Sequence, residues 1–253
     1  ALEEKIVTLE DQYICDGREY FGSTNSIQIK CSNSRGHGKI SLAQSIMYSC
    51  NSHNSQDIKY LNNWEAGAIV SIEAIKAFGE NNVFISTDIT DNVYKRIYGK
   101  SYKANCSIPL KELCYIKLLH YDLNGNIHIG EIICNKAIET DIINIFKELY
   151  NAKYPIEKVI LIDEYNADDE TSMRDNNSSC FNYREITGGG KLSKHALGLA
   201  IDINPLYNPY VKEFPDHIHV EPQNALPYVD REKNFPYKID TTDLSYKLFI
   251  QHG

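Results

Sequence analysis

Apolar residues recur along this chain with two periods, and those periods predict most of its elements. Ile27, Ile29 and Cys31 alternate with polar neighbours, which predicts a short strand. Ile40, Ala43, Met47 and Cys50 return at helical spacing, which predicts a helix from about Ser41 to Ser49. Ile69, Ile72, Ile75 and Phe78 do the same, with Gly79 as the stop. Val83 and Ile85 alternate briefly, and Thr90 to Tyr98 reads as a short helix ended by Gly99. Leu113 to Tyr121 is apolar on both parities, as in a buried strand. Asn124-Gly125 is a two-residue hairpin signal, after which Ile127, Ile129, Ile132 and Ile133 resume. Ile138, Ile142, Ile145, Phe146 and Leu149 form one stripe of a helix over Ala137 to Tyr150. Val159 to Ile162 reads as a short core strand, and Asn166 to Tyr183 as a polar, acidic loop with a binding or lid role. Leu197, Leu199, Ile201 and Ile203 alternate with Gly198, Ala200 and Asp202, which predicts a strand with one apolar face and one nearly bare face. The sum is an α+β fold: a small antiparallel sheet with helices packed on one side, preceded by a small helix-bearing N-terminal segment.

A chain of 253 residues holds one large domain or two small ones. We read residues 1–60 as a first segment and 80–253 as the main domain. The boundary lies within 53–80, after the loop-like run Asn51-Ser52-His53-Asn54-Ser55. The net charge of −8 gives no general attraction to nucleic acid. No apolar run approaches the roughly 20 residues of a membrane span. The 18 tyrosines suit a sugar or peptide surface without proving either. The 7 cysteines contain no Cys-x-x-Cys, and their odd count argues against a fully paired disulfide framework, although some pairs would form in an exported chain. The chain begins at Ala1 with no basic-then-apolar leader, so a signal peptide is expected to be absent or already removed.

The chemistry centres on Ser193-Lys194-His195-Ala196-Leu197-Gly198-Leu199-Ala200-Ile201-Asp202, entered through Gly188-Gly189-Gly190. An imidazole and a carboxylate facing each other across a glycine and alanine floor begin a catalytic zinc site, where three protein ligands leave one position for water. A single His and a single Asp are more often packing and turn residues, so the whole string carries the argument. Ser-x-His-x-x-Gly-x-Ala-x-Asp resembles the metal signature of the M15 zinc peptidases, the D-alanyl-D-alanine carboxypeptidases and L-alanyl-D-glutamate endopeptidases of bacterial cell-wall metabolism. The flanking Leu161-Ile162-Asp163-Glu164-Tyr165, Phe181-Asn182-Tyr183-Arg184 and Asn204-Pro205-Leu206-Tyr207-Asn208-Pro209 look like the M15C-type subgroup, with a likeness running from about Val83 to the end.

That resemblance implies a zinc ion held by His195 and Asp202, Ser193 helping to hold substrate, and a peptidoglycan stem peptide as partner. It also implies a bacterial envelope or extracellular location. Arg184 is the candidate cation for a peptide carboxylate or a developing oxyanion; its alternative is a salt bridge with the acidic loop. The family carries a second motif, Asp or Glu-x-x-His, supplying the general base and the third ligand. Within the chain Asp216-His217-Ile218-His219 fits the pattern, which makes His219 an alternative third ligand and Asp216 an alternative base. It follows Asp202 too closely for the family, so the motif is expected beyond Gly253, and the chain is expected to be cut short there. Asp163, Glu164, Asp168, Asp169 and Glu170 read as a solvated acidic face, with calcium as the other possibility, although the spacing is not that of an EF-hand. His120 and His128 read as ordinary strand imidazoles.

Residues 1–55 weakly resemble a penicillin-binding transpeptidase fragment, through Ser49-Cys50-Asn51. The Ser-x-x-Lys and Lys-Thr-Gly motifs of that chemistry do not occur. Two other functions therefore stand beside the peptidase: a non-catalytic wall-binding or scaffold protein that keeps the fold, and a β-lactam-binding remnant.

Overall fold

The structure is a computed structural model that describes residues 12–15, 18–21, 27–30, 38–41, 65–79, 82–184 and 191–253. The chain forms two compact units, residues 1–65 with 71–83, and residues 66–70 with 84–253.

In the first unit, strand β1 (Gln12–Cys15) pairs antiparallel with β4 (Gly38–Ser41), and β2 (Arg18–Phe21) with β3 (Ile27–Lys30). The alternation at Ile27 and Ile29 is thus a strand. Ile40 and Ser41, expected to lead into a helix, instead close β4; the rest of that helix, with Ser49 and Asn51, lies outside the described residues. Helix α1 (Ile72–Phe78) begins where the Ser71 hydroxyl accepts the Ala74 N–H at 3.1 Å. It ends at Gly79, whose φ of 89° suits a residue without a Cβ.

The second unit is built on a four-stranded antiparallel sheet. Its strands are β5 (Ile69–Val70), β6 (Ile85–Asp88), β7 (Leu113–Tyr121) and β8 (Ile127–Asn135), in the order β5-β8-β7-β6. The β7–β8 hairpin runs in register from Leu113 opposite Asn135 to Tyr121 opposite Ile127. Its connection is five residues, Asp122 to Asn126, rather than the two that Asn124-Gly125 predicts. The Asp122 carboxylate accepts the Asn124 and Asn126 N–H groups, each at 2.8 Å, and so draws the loop closed from outside the pair.

One face of the hairpin supplies Leu113, Tyr115 and Ile133 to a core that also takes Leu161, Phe181, Tyr183 and Ala196. Val93 and Ile97 of helix α2 (Asp91–Ile97) complete it, the helix starting at a Thr90 cap. Helix α3 (Glu139–Asn151) lies against β7 and buries Ile142, Ile145, Phe146 and Leu149, as its stripe predicts. Glu131 is buried within this frame. It receives Arg96 at 2.5 and 2.8 Å and the Tyr115 hydroxyl at 2.7 Å, which satisfies a charge that would otherwise be costly to bury.

Two expectations fail here. Val159 to Ile162 is not a strand. The Val159 carbonyl accepts the Glu131 N–H at 2.9 Å, but the Asn177 side-chain amide then takes both backbone groups of Ile160, so no ladder continues. The chain turns into a 3₁₀ helix over Ile162–Tyr165. The segment 166–183 also holds a helix, α4 (Asp169–Arg174), because Asp168 accepts the Thr171 N–H and caps it. Further on, β9 (Tyr210–Glu213) pairs with β10 (Ile218–Glu221), and helix α5 (Leu244–His252) packs on α3. Among the described residues no helix is long and apolar enough to cross a membrane.

Candidate functional site

The segment predicted as a strand from Leu197 to Ile203 is not one. Gly198 turns left-handed at φ 66°, closing a short 3₁₀ turn over His195–Leu197. Leu199, assigned to the apolar face, is 41% exposed, whereas Ala196 is buried. The alternation misleads because Gly198 reverses the path: a Cβ there would stand 2.7 Å from the Asn135 amide nitrogen, so only glycine lets this turn rest against the end of β8. The Gly198 carbonyl then accepts the Asn135 N–H at 2.9 Å.

The segment is gripped at both ends by residues 179–182. Asn182 N–H donates to the His195 carbonyl at 3.1 Å, and Asp202 N–H to the Ser179 carbonyl at 3.0 Å. Residues 176–182 are in turn fixed by buried polar side chains. The Ser178 hydroxyl accepts the Asn204 N–H, and the Asn176 carbonyl oxygen accepts the Leu206 N–H, each at 3.0 Å.

This frame brings His195 and Asp202 together. His195 Nε2 lies 3.4 Å from Asp202 Oδ2. The other ring nitrogen, Nδ1, is 2.8 Å from the Cys180 carbonyl, to which it donates. That bond fixes the tautomer and leaves the Nε2 lone pair directed at the carboxylate side, the arrangement a metal-binding imidazole needs. Burial pushes the Asp202 carboxyl above its usual range; His195 opposes this, Asp169 adds to it and Arg184 opposes it. The Asp202 side chain still keeps 38% of its exposure and lines a cleft of about 560 Å³ with Ile201, Asn208, Arg231 and Phe249. An imidazole nitrogen and a carboxylate oxygen at this separation suit a borderline-soft divalent cation such as zinc.

The other expected residues take local partners. Arg184 forms an ion pair with Asp169, close enough to Asp202 for both to act on its charge. The Ser193 hydroxyl accepts the Ala196 N–H at 3.0 Å and caps the 3₁₀ turn. His219 Nε2 lies 2.8 Å from Glu221, and Asp216 lies 2.8 Å from His217, on the β9–β10 ribbon and its turn. Among the described residues no three His, Cys, Asp or Glu side chains converge as a metal ion requires, so His219 is not brought to the His195–Asp202 pair. The glycine run 188–190 lies outside the described residues.

The acidic cluster is not one solvated face. Asp163 is 2% exposed and accepts the Ser101 N–H and hydroxyl at 3.0 and 2.9 Å. Glu164 pairs with Arg96, and Asp169 with Arg184. Sequence reasoning missed the Cys180 carbonyl as the orienter of His195, and no side-chain signal marks a main-chain acceptor. Asp169, which tunes Asp202 and holds Arg184, was counted only as one acid among five.

Residues 187–253 match the family model described as D-alanyl-D-alanine carboxypeptidase, of the M15 peptidases. The match is a likeness to that family over the C-terminal part of the chain, and it spans less than the likeness expected from about Val83. No curated protein and no solved structure matches the chain.

Proposed function

We propose that this protein is a zinc-dependent peptidase that hydrolyses an amide bond in peptidoglycan stem peptides, of the D-Ala-D-Ala carboxypeptidase or L-Ala-D-Glu endopeptidase type, and that it acts at the bacterial envelope or outside the cell. The observation that carries this reading is the His195–Asp202 pair, 3.4 Å apart and oriented by the Cys180 carbonyl, inside the stretch that matches the peptidase family. His195 Nε2 and Asp202 Oδ2 would hold the zinc. When bound, the ion would lower the pKa of a coordinated water towards neutrality and polarise the scissile carbonyl. Asp169 steers Arg184, whose guanidinium serves a substrate carboxylate or the developing oxyanion. Ser193 keeps the turn that aims the His195 ring, and so serves substrate binding through that turn. The cleft beside Asp202 offers a peptide both apolar wall and polar ends.

A second reading is favoured by one observation. Only two candidate ligands meet among the described residues, which fits a non-catalytic wall-binding or scaffold protein as well. Calorimetric zinc titration of the full chain, run beside mass spectrometry of D-Ala-D-Ala-terminated and L-Ala-D-Glu-containing peptides, separates the two. Stoichiometric zinc binding with zinc-dependent release of a fragment supports the peptidase. Retention on purified peptidoglycan with neither zinc binding nor cleavage supports the scaffold.

A further inference from the structure

Beneath the site lies a pair of cysteines that the proposed chemistry does not use. Cys114 on β7 and Cys134 on β8 are direct cross-strand partners, both buried, with their sulfurs 3.5 Å apart. The backbone fixes what kind of pair this is. On β8 the N–H groups of Ile129, Glu131 and Asn135 donate away from β7, to Ala68, Val159 and Gly198, and the Ile133 carbonyl accepts from Phe181. Those odd-numbered residues turn their backbone groups outward, so Cys134 turns both of its own towards Cys114. Hydrogen-bonded cross-strand partners have Cα atoms about 5.5 Å apart, inside the 4.4 to 6.8 Å that a disulfide spans. Closing the sulfurs from 3.5 Å to a bond takes rotation about the two Cα–Cβ bonds together with a small approach of the two Cβ atoms, which stand farther apart in a hydrogen-bonded pair than in an unbonded one.

We propose that Cys114 and Cys134 form a reversible cross-strand disulfide in the folded protein. The pair is polarised for it. The contact between the two sulfurs favours the thiolate at Cys114 and holds its pKa down, while the same contact and burial raise that of Cys134. The Cys114 thiolate attacks one sulfur of a small-molecule disulfide and expels a thiolate. Cys134 passes its proton to that thiolate and attacks the Cys114 sulfur in the mixed disulfide, expelling the second thiolate, which takes up the Cys114 proton from solvent. Two protein thiols are oxidised to one cystine, and the oxidant is reduced to two thiols. Access runs through opening of β6, the four-residue edge strand that places Asp88 opposite Cys114. The bond would tie β7 to β8 one residue from Asn135, whose N–H carries the Gly198 turn. The cysteine pair thereby links the redox state of its surroundings to the bed on which His195 rests. None of this depends on peptidase activity.

The test uses the full chain equilibrated with oxidised and reduced glutathione in stepped ratios, both as folded protein and as protein refolded in the same buffers. Free thiols are alkylated in denaturant and the peptides mapped by mass spectrometry. The expected result is loss of two of the seven alkylatable thiols, recovered as one Cys114–Cys134 crosslinked peptide that dithiothreitol reverses. Cys180→Ala should keep that crosslink and Cys134→Ala should lose it. Full alkylation of both cysteines at every ratio, or a bridge from either one to Cys180 or another cysteine, would overturn the proposal.

Discussion

Among the described residues of the second unit, two of the histidine–aspartate pairs also place the other ring nitrogen on a main-chain carbonyl, and they differ in what their carboxylates can still accept. At the hairpin end, His128 Nε2 lies 3.1 Å from Asp122 Oδ2 and Nδ1 lies 2.9 Å from the Gly67 carbonyl. At the other pair the corresponding distances are 3.4 and 2.8 Å, to Asp202 and the Cys180 carbonyl. What differs is the carboxylate. Asp122 is 11% exposed and accepts from Asn124 and from both nitrogens of Asn126, with His128 Nε2 3.1 Å away, so its lone pairs are engaged in closing a turn. Burial acts against its charge, but these donors outweigh it and hold its pKa well down. Asp202 has His195 as its side-chain partner among the described residues and opens onto a cleft. A ring oriented by a carbonyl is common to both; unspent acceptor capacity is what separates a ligand from a structural brace.

The comparison breaks most sharply at the imidazoles. His195→Ala should lower zinc affinity by about 100-fold or more and take peptide cleavage to background, while His128→Ala leaves zinc affinity unchanged. Titration calorimetry on both variants decides it, and equal losses would end the distinction. Next comes acidity. His120 stacks on His128 with ring centroids 5.5 Å apart, and burial pushes its pKa down to about 4 from 6.5. The folded state therefore resists protonating it where the unfolded chain does not. Stability should be intact above pH 6.5 and fall by about 3 kcal/mol as pH drops through 4. Urea midpoints measured across that window should show a shallower fall in His120→Gln, and matching slopes would clear His120 of the effect.

The two turns give a smaller contrast. Gly198→Ala meets both a left-handed backbone and the Asn135 amide at 2.7 Å, and should cost about 3 kcal/mol with weaker zinc binding. Gly125→Ala has a φ of 84° but open space around it, so about 1 kcal/mol is expected, with zinc binding intact. Asp122→Ala, comparable in size, removes the hydrogen bonds by which a largely covered carboxylate closes the hairpin turn. Thermal melts should register about 1 kcal/mol and calorimetry no change in zinc binding.

How much of this was legible depends on where the information resides. The strands 113–121 and 127–135 and helix α3 declare themselves because burial on a regular element writes its period into the side chains. His195 and Asp202 were legible as a motif, since ligand chemistry admits few residue types. The path between them was not. One left-handed residue, Gly198, defeats the period-two reading of its neighbours, and Val159 to Ile162 looked like a strand because side-chain amides replace a ladder there. The carbonyls of Cys180 and Ser179, which orient the ring and anchor Asp202, belong to the main chain and leave no trace in residue identity.

The two main-chain clamps at His195 and Asp202 have an evolutionary corollary. Since peptide groups hold the ends of this segment, the exposed side chains of Lys194 and Leu199 are released from the task of keeping the pair aligned. On the proposed reading, those positions can vary with substrate while His195 and Asp202 stay aligned, so selectivity and ligation would be separable on one short loop.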